Sequence, residues 1–73
     1  MKKDLFKKYL ENHGWKYITL THLEDMTLKQ RQEYRERNNP WVIWNGSDGY
    51  EHYTKLNELL NDDNTINESE IYC

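Results

Sequence analysis

The longest unbroken apolar run in the chain is four residues, Trp41-Val42-Ile43-Trp44, and Asn45-Gly46-Ser47-Asp48-Gly49 follows it at once. Four is far short of the ~20 residues of a membrane-spanning helix, and such a run bounded by a turn suits a strand. Its residues are aromatic or β-branched, the link holds two glycines able to take positive φ, and Tyr50-Glu51-His52-Tyr53 resumes strand chemistry beyond it. A β-hairpin is expected over residues 41–53, and the rest of the chain must be assembled against it.

Upstream, Leu5, Phe6, Tyr9, Leu10 and His13 recur at helical spacing, which predicts a helix over about residues 3–13. Gly14 stands where a left-handed residue ends a helix, with Trp15 after it as in a Schellman ending. Residues 15–21 read as a strand, with Ile18 and Leu20 on one face and Tyr17 and Thr19 on the other. Two capping boxes follow, Thr21 with Glu24 and Thr27 with Gln30. The first suits a short turn over Leu23 and Met26; the second opens a helix over about residues 28–38, which Asn38-Asn39-Pro40 ends because a residue before proline avoids the helical region. After the hairpin, Thr54 is expected to cap a short helix carrying Leu56, Leu59 and Leu60. From Asn61 onward acidic and amide residues dominate, so residues 62–73 read as a loose acidic tail in which Ile66, Ile71 or Tyr72 docks weakly.

Composition decides what can bury these elements. Leu, Ile, Val and Phe together number 8 + 4 + 1 + 1, or 14 of 73 residues. A chain this short buries only roughly 60 percent of its unfolded surface, so the three Trp and six Tyr must supply much of the core. One compact domain over residues 1–61 is expected. Its fold class is α+β: a three-stranded antiparallel sheet with two to three helices, in the order helix-strand-helix-hairpin-helix.

Site chemistry is sparse. His13, His22, His52 and Cys73 are separated by 8, 29 and 20 intervening residues, without the close pairs of structural zinc sites. The loop 45–49 lacks the alternating acids of a calcium loop, whose twelfth position would be Leu56, and the Gly-Lys-Ser/Thr of a phosphate loop. Asp48, Glu51 and His52 lie near a hairpin tip on a chain too small to enclose much of a pocket. No catalytic residue, metal or cofactor is therefore expected. Cys73 is read as a tail thiol in a reducing, cytoplasmic compartment, and no leader follows Lys2, Lys3, Lys7 and Lys8.

Two features point to binding. Residues 1–39 carry nine Lys/Arg against six Asp/Glu, a net of +3, and residues 40–73 carry one against seven, a net of −6. Within helix 28–38, Arg31 and Arg35 form an i,i+4 cationic pair with no obvious carboxylate on their ridge, suited to an acidic partner or to phosphates. Trp41, Trp44, Tyr50 and Tyr53 crowd the hairpin, with Trp41 and Ile43 on one face and Val42 and Trp44 on the other. A small domain has one core, so one of these faces, which alternation does not assign, is left as an interface, and one of Trp41 and Trp44 is expected to be structural and the other functional. The expectation is a non-catalytic protein-binding domain whose partner-binding residues are Trp41, Trp44, Tyr50, Tyr53, Arg31 and Arg35. The absence of alanine beside eight asparagines suits an AT-rich bacterial or phage source, and so an inhibitor or redirector of a host protein. A second copy of the chain is a competing partner. The overall charge of −3 weighs against nucleic acid, and an accessory role there for helix 28–38 is the alternative.

Overall fold

The computed structural model describes residues 3–71. Helix α1 (Lys3–Asn12) ends as its sequence predicts. Gly14 takes φ 74°, its N–H reaches the Glu11 carbonyl at 3.1 Å, and the Trp15 N–H reaches that of Leu10 at 2.9 Å. The chain leaves that turn into β1 (Tyr17–Thr19). This strand is shorter than the 15–21 expected because Thr19, not Thr21, is the cap of α2 (Leu20–Asp25): its hydroxyl accepts the His22 N–H at 3.3 Å. Thr27 then opens α3 (Leu28–Arg37) with the full capping box, the Gln30 N–H donating to the Thr27 hydroxyl and the Thr27 N–H to the Gln30 side chain.

After Pro40 the hairpin forms from β2 (Trp41–Asn45) and β3 (Glu51–Lys55), with Ile43 opposite Tyr53 and Asn45 opposite Glu51. Its turn closes through the Gly49 N–H on the Gly46 carbonyl, with Gly49 at φ 84°. Strand order is β1-β2-β3. The α+β class and the three strands are those expected, but the sheet is mixed, because β1 runs parallel to β2 with Ile18 beside Val42. Two helices rather than a hairpin link β1 to β2, and a helical crossover returns the chain to the end of the sheet where it began.

Register fixes which residues share a face. Tyr17, Thr19, Trp41, Ile43, Tyr53 and Lys55 lie on one side, where Phe6 of α1 packs against Trp41 and Tyr53. Ile18, Val42 and Trp44 lie on the other, joined by Leu23, Leu56, Leu59, Leu60 and Ile71 in the main core. Thr54 caps nothing. It pairs with Val42 inside β3, and α4 (Leu56–Leu59) starts only after Lys55, because the ladder runs on to a bond from the Leu56 N–H to the Pro40 carbonyl.

Beyond Asn61, where composition suggests a loose tail, the chain is laid back on the domain. A turn closed by the Asn61 N–H on the Thr65 carbonyl brings Ile66 beside Leu60, and the Asn67 N–H bonds to the Leu59 carbonyl. Helix α5 (Glu68–Ile71) then places Ile71 in the main core. Tyr72, Cys73 and Lys2, which entered the sequence-based expectations, lie outside the described residues.

Candidate functional site

Each expected partner-binding residue has a definite place. Arg31, expected to face an acidic partner, is only 9 percent exposed. Its Nε–H donates to the Leu23 carbonyl at 3.0 Å, and its two terminal nitrogens donate to the carbonyls of Glu24 at 3.2 Å and Asn64 at 3.4 Å. Leu23 and Glu24 are near the C-terminus of α2, where carbonyls lack i+4 helical partners; the Leu23 carbonyl also accepts the Met26 N–H at 3.2 Å, and the planar fork of N–H groups supplies further donors to this helix end. The cation is not on the surface, and these bonds make Arg31 the bolt between α2, α3 and the 61–65 turn. Arg35, half-buried, extends that link to the Asn61 carbonyl at 3.1 Å and the Asn64 side chain at 3.4 Å.

Trp44 is buried in the main core, so of the two hairpin tryptophans it is the structural one. His52 stacks on it at 5.3 Å between ring centroids, and the His52 Nε2–H donates to the Asp48 carboxylate at 3.1 Å. The Tyr50 N–H, donating to Asp48 at 3.0 Å, and then His52 hold the Asp48 carboxyl below its ordinary pKa. Gly46 lies under this arrangement: a Cβ there would come within 2.5 Å of the His52 ring, so the close approach admits only glycine without moving the histidine.

Trp41 is the half-exposed tryptophan. Around it runs a continuous column of rings. Phe6 meets Tyr53 at 4.4 Å and Trp41 edge-on at 5.6 Å; the Lys55 ammonium lies 5.1 Å from the Trp41 ring and 4.4 Å from that of Trp15. Trp15 then neighbours His13, and His13 neighbours Tyr9 at 4.3 Å, with the His13 Nδ1–H donating to the Tyr9 carbonyl. The Tyr53 phenol is pushed up in pKa by burial and by the Glu51 carboxylate that accepts its hydroxyl. Two buried polar atoms on this face, Tyr17 Oη and Trp41 Nε1, find no hydrogen-bond partner among the described residues.

This column is only partly covered. Trp15 is 39 percent exposed, Tyr9 46 percent and Leu5 61 percent, and Tyr50, at the hairpin end, is 72 percent exposed. The structure thus brings Trp41 and Tyr53 together, leaves Tyr50 in solvent, and sends Trp44, Arg31 and Arg35 to structural tasks. It adds Tyr9, Trp15 and Lys55, which the sequence did not single out. Helical spacing placed Leu5 and Tyr9 in the core stripe, yet Phe6 and Leu10 are the residues of α1 that turn inward. The exposed pair was not readable from periodicity alone, since one short helix over a narrow sheet buries a narrower stripe than a helix in a large core.

The concavities are shallow surface features; one of about 380 Å³ lies between Lys3, Thr19, Thr21, Asn45 and Glu51, of which Lys3, Thr21, Asn45 and Glu51 are exposed and the Thr19 hydroxyl is engaged as the cap of α2. Among the described residues no group of three or more His, Cys, Asp or Glu could hold a metal ion, and no helix is long and apolar enough to cross a membrane. No protein-family model, curated protein or solved structure matches the chain.

Proposed function

We propose that this chain is a small non-catalytic protein-binding domain whose contact surface is the side formed by α1, Trp15 and β3. The observation that carries the reading is the exposure of Leu5, Tyr9 and Trp15 on the side of the ring column, with Lys8 next to Tyr9 on α1 and the Lys55 ammonium over the Trp15 ring. Exposed aromatics with cations beside them are the composition of binding hot spots, and contiguous apolar exposure on a small soluble fold marks an interaction surface. Such a domain acts by occupying its partner: it blocks or redirects a host protein by covering a surface, with no reaction of its own. The basic flank favours an acidic partner surface and speeds encounter with it. A nucleic-acid role for α3 has less support, because Arg31 and Arg35 hold backbone carbonyls instead of facing outward.

The test compares the protein with its Tyr9→Ala and Trp15→Ala variants as bait in cell lysate, after circular dichroism has established that each is folded. The expected result is one stoichiometric protein captured by the parent and at least ~10-fold less by both variants, a hot-spot loss, with Lys29→Ala unchanged. Capture indifferent to both aromatic substitutions, or a catch of nucleic acid that disappears with salt, overturns the reading.

A further inference from the structure

The edge of the sheet at β3 carries an inference beyond this reading. In an antiparallel ladder, hydrogen-bonded and non-hydrogen-bonded pairs alternate. The bond from the Gly46 N–H to the Tyr50 carbonyl and that from the Leu56 N–H to the Pro40 carbonyl fix the phase at both ends of the hairpin. Tyr50, His52, Thr54 and Leu56 therefore turn their backbone groups toward β2. The N–H and C=O groups of Glu51, Tyr53 and Lys55 turn outward, at an edge with no further strand in the described sheet. An open edge of this kind is a template for another strand.

We propose that β3 pairs antiparallel with β3 of a second copy of this chain, about a two-fold axis at Tyr53. The phase and the charges both select this register. It sets Tyr53 against Tyr53 and Glu51 against Lys55 twice over, so all three outward residues become hydrogen-bonded pairs, six backbone bonds in total. Every charged side chain in the strand then meets its opposite, and His52 meets Thr54. Shifting the register by two residues loses these charge pairs, and shifting it by one turns inward-bonded residues toward the partner. Glu and Lys on an edge strand ordinarily discourage pairing; spaced i and i+4 about a central residue, they reward pairing with the same strand.

The result is a continuous six-stranded sheet in which both α1 helices, with their exposed Leu5 and Tyr9, lie on one face with the two Tyr53 rings between them. Pairing itself uses the backbone of the edge, so it does not depend on a foreign partner. Five residues a side form a small interface, so the dimer belongs to the weak class, with association developing between about 10 µM and 1 mM.

Sedimentation equilibrium on the full chain tests this, with hydrogen exchange at low and high concentration as a second measurement. The parent is expected to dimerise, and the Tyr53 amide to gain protection with concentration while amides of α3 do not change. Glu51→Lys alone and Lys55→Glu alone each set like charges opposite one another at two places, and each should weaken self-association at least tenfold. Mixing the two variants restores both attractive pairs, so a heterodimer should recover the parent's affinity. If Lys55→Glu fails to fold, the Glu51→Lys result and the Tyr53 exchange decide the matter. A parent that remains monomeric at about 1 mM, or a dimer indifferent to Glu51→Lys, overturns the proposal. A monomeric parent that still loses its captured protein on Tyr9→Ala overturns the dimer alone and leaves the protein-binding reading standing.

Discussion

Replacing Arg31 by alanine is the sharpest perturbation the structure offers, because the residue is a buried cation whose partners among the described residues are backbone carbonyls. Its guanidinium makes three bonds to carbonyls, at 3.0, 3.2 and 3.4 Å. A hydrogen bond from a charged donor contributes about 1.5–3 kcal/mol. The Leu23 bond is buried, so water does not replace it although that carbonyl keeps the Met26 N–H, whereas the Glu24 and Asn64 bonds are longer and only partly buried, so water recovers much of their value. Adding the packing of the buried stem, Arg31→Ala should cost about 3 kcal/mol. Set against roughly 4–11 kcal/mol for a whole domain of this size, that is a large part of the stability, and it lowers Tm by roughly 12–24 °C. Urea unfolding followed by tryptophan fluorescence measures it, with Arg31→Lys and Arg35→Ala as companions. Lysine delivers a point charge where a fork is needed and should recover less than half of the loss; half-buried Arg35 should cost about 1 kcal/mol. An Arg31→Ala midpoint within about 1 kcal/mol of the parent would mean that the guanidinium is held by the fold and does not hold it.

The two tryptophans should separate. Trp44→Ala, in the main core, is expected to cost about 3–5 kcal/mol, and half-exposed Trp41→Ala about half as much; equal losses would show that both faces are equally closed. Asp48 has its carboxyl lowered from the ordinary 3.8 by the Tyr50 N–H and by His52, so its contribution is complete above the unfolded-state pKa and is lost as pH falls through the folded one. The Tm gap between the parent and Asp48→Asn should thus be full near pH 6 and close below pH 3.8; a gap unchanged at acid pH excludes the charged form as its source. A chain ending at Asn61 lacks Ile66, Ile71 and the Asn64 carbonyl that Arg31 holds, and should lose its sharp thermal transition. A cooperative melt within a few degrees of the parent would show that the last turn and α5 are dispensable.

Signals contained within a few residues carried straight into the structure. Gly14-Trp15 states a Schellman ending through one positive φ and two backbone bonds, and Thr27-x-x-Gln30 states a helix start through two reciprocal ones. The hairpin is similar: turn glycines and flanking aromatics act over about a dozen residues. What was not legible depended on distant partners. The direction of β1 is set by where α2 and α3 return the chain, which neither strand encodes. Thr19 and Thr21 are both able to cap a helix, and the choice between them follows from how far β1 can pair along β2. Arg31 looked like a surface cation because its helix has only Leu28 and Tyr34 as apolar residues; only the packing of α2 against α3 shows that the Leu23 and Glu24 carbonyls lie within its reach.

The candidate surface shows where alternation stops being informative. Period-two spacing states correctly that Trp41 and Ile43 share one face and Val42 and Trp44 the other, but it does not say which face is covered more deeply. That is decided by how much apolar surface the other elements deliver to each side. Leu23, Leu56, Leu59, Leu60 and Ile71 arrive beside Trp44 from three helices and the segment between them, whereas Trp41 receives α1 alone, through Phe6. The charge asymmetry follows the same logic. Arg31 and Arg35 reach across to the acidic half, yet they are met by the carbonyls of Asn61 and Asn64 and by the Asn64 amide, not by Asp62 or Asp63. The link between the halves is thus made by local dipoles, and the acidic side chains of that turn stay at the surface. A chain poor in aliphatic residues has concentrated them behind one sheet face and closed the corner of that core with arginine. The other face is left with aromatic rings under a single helix, and that incompletely covered side is the one available for contact.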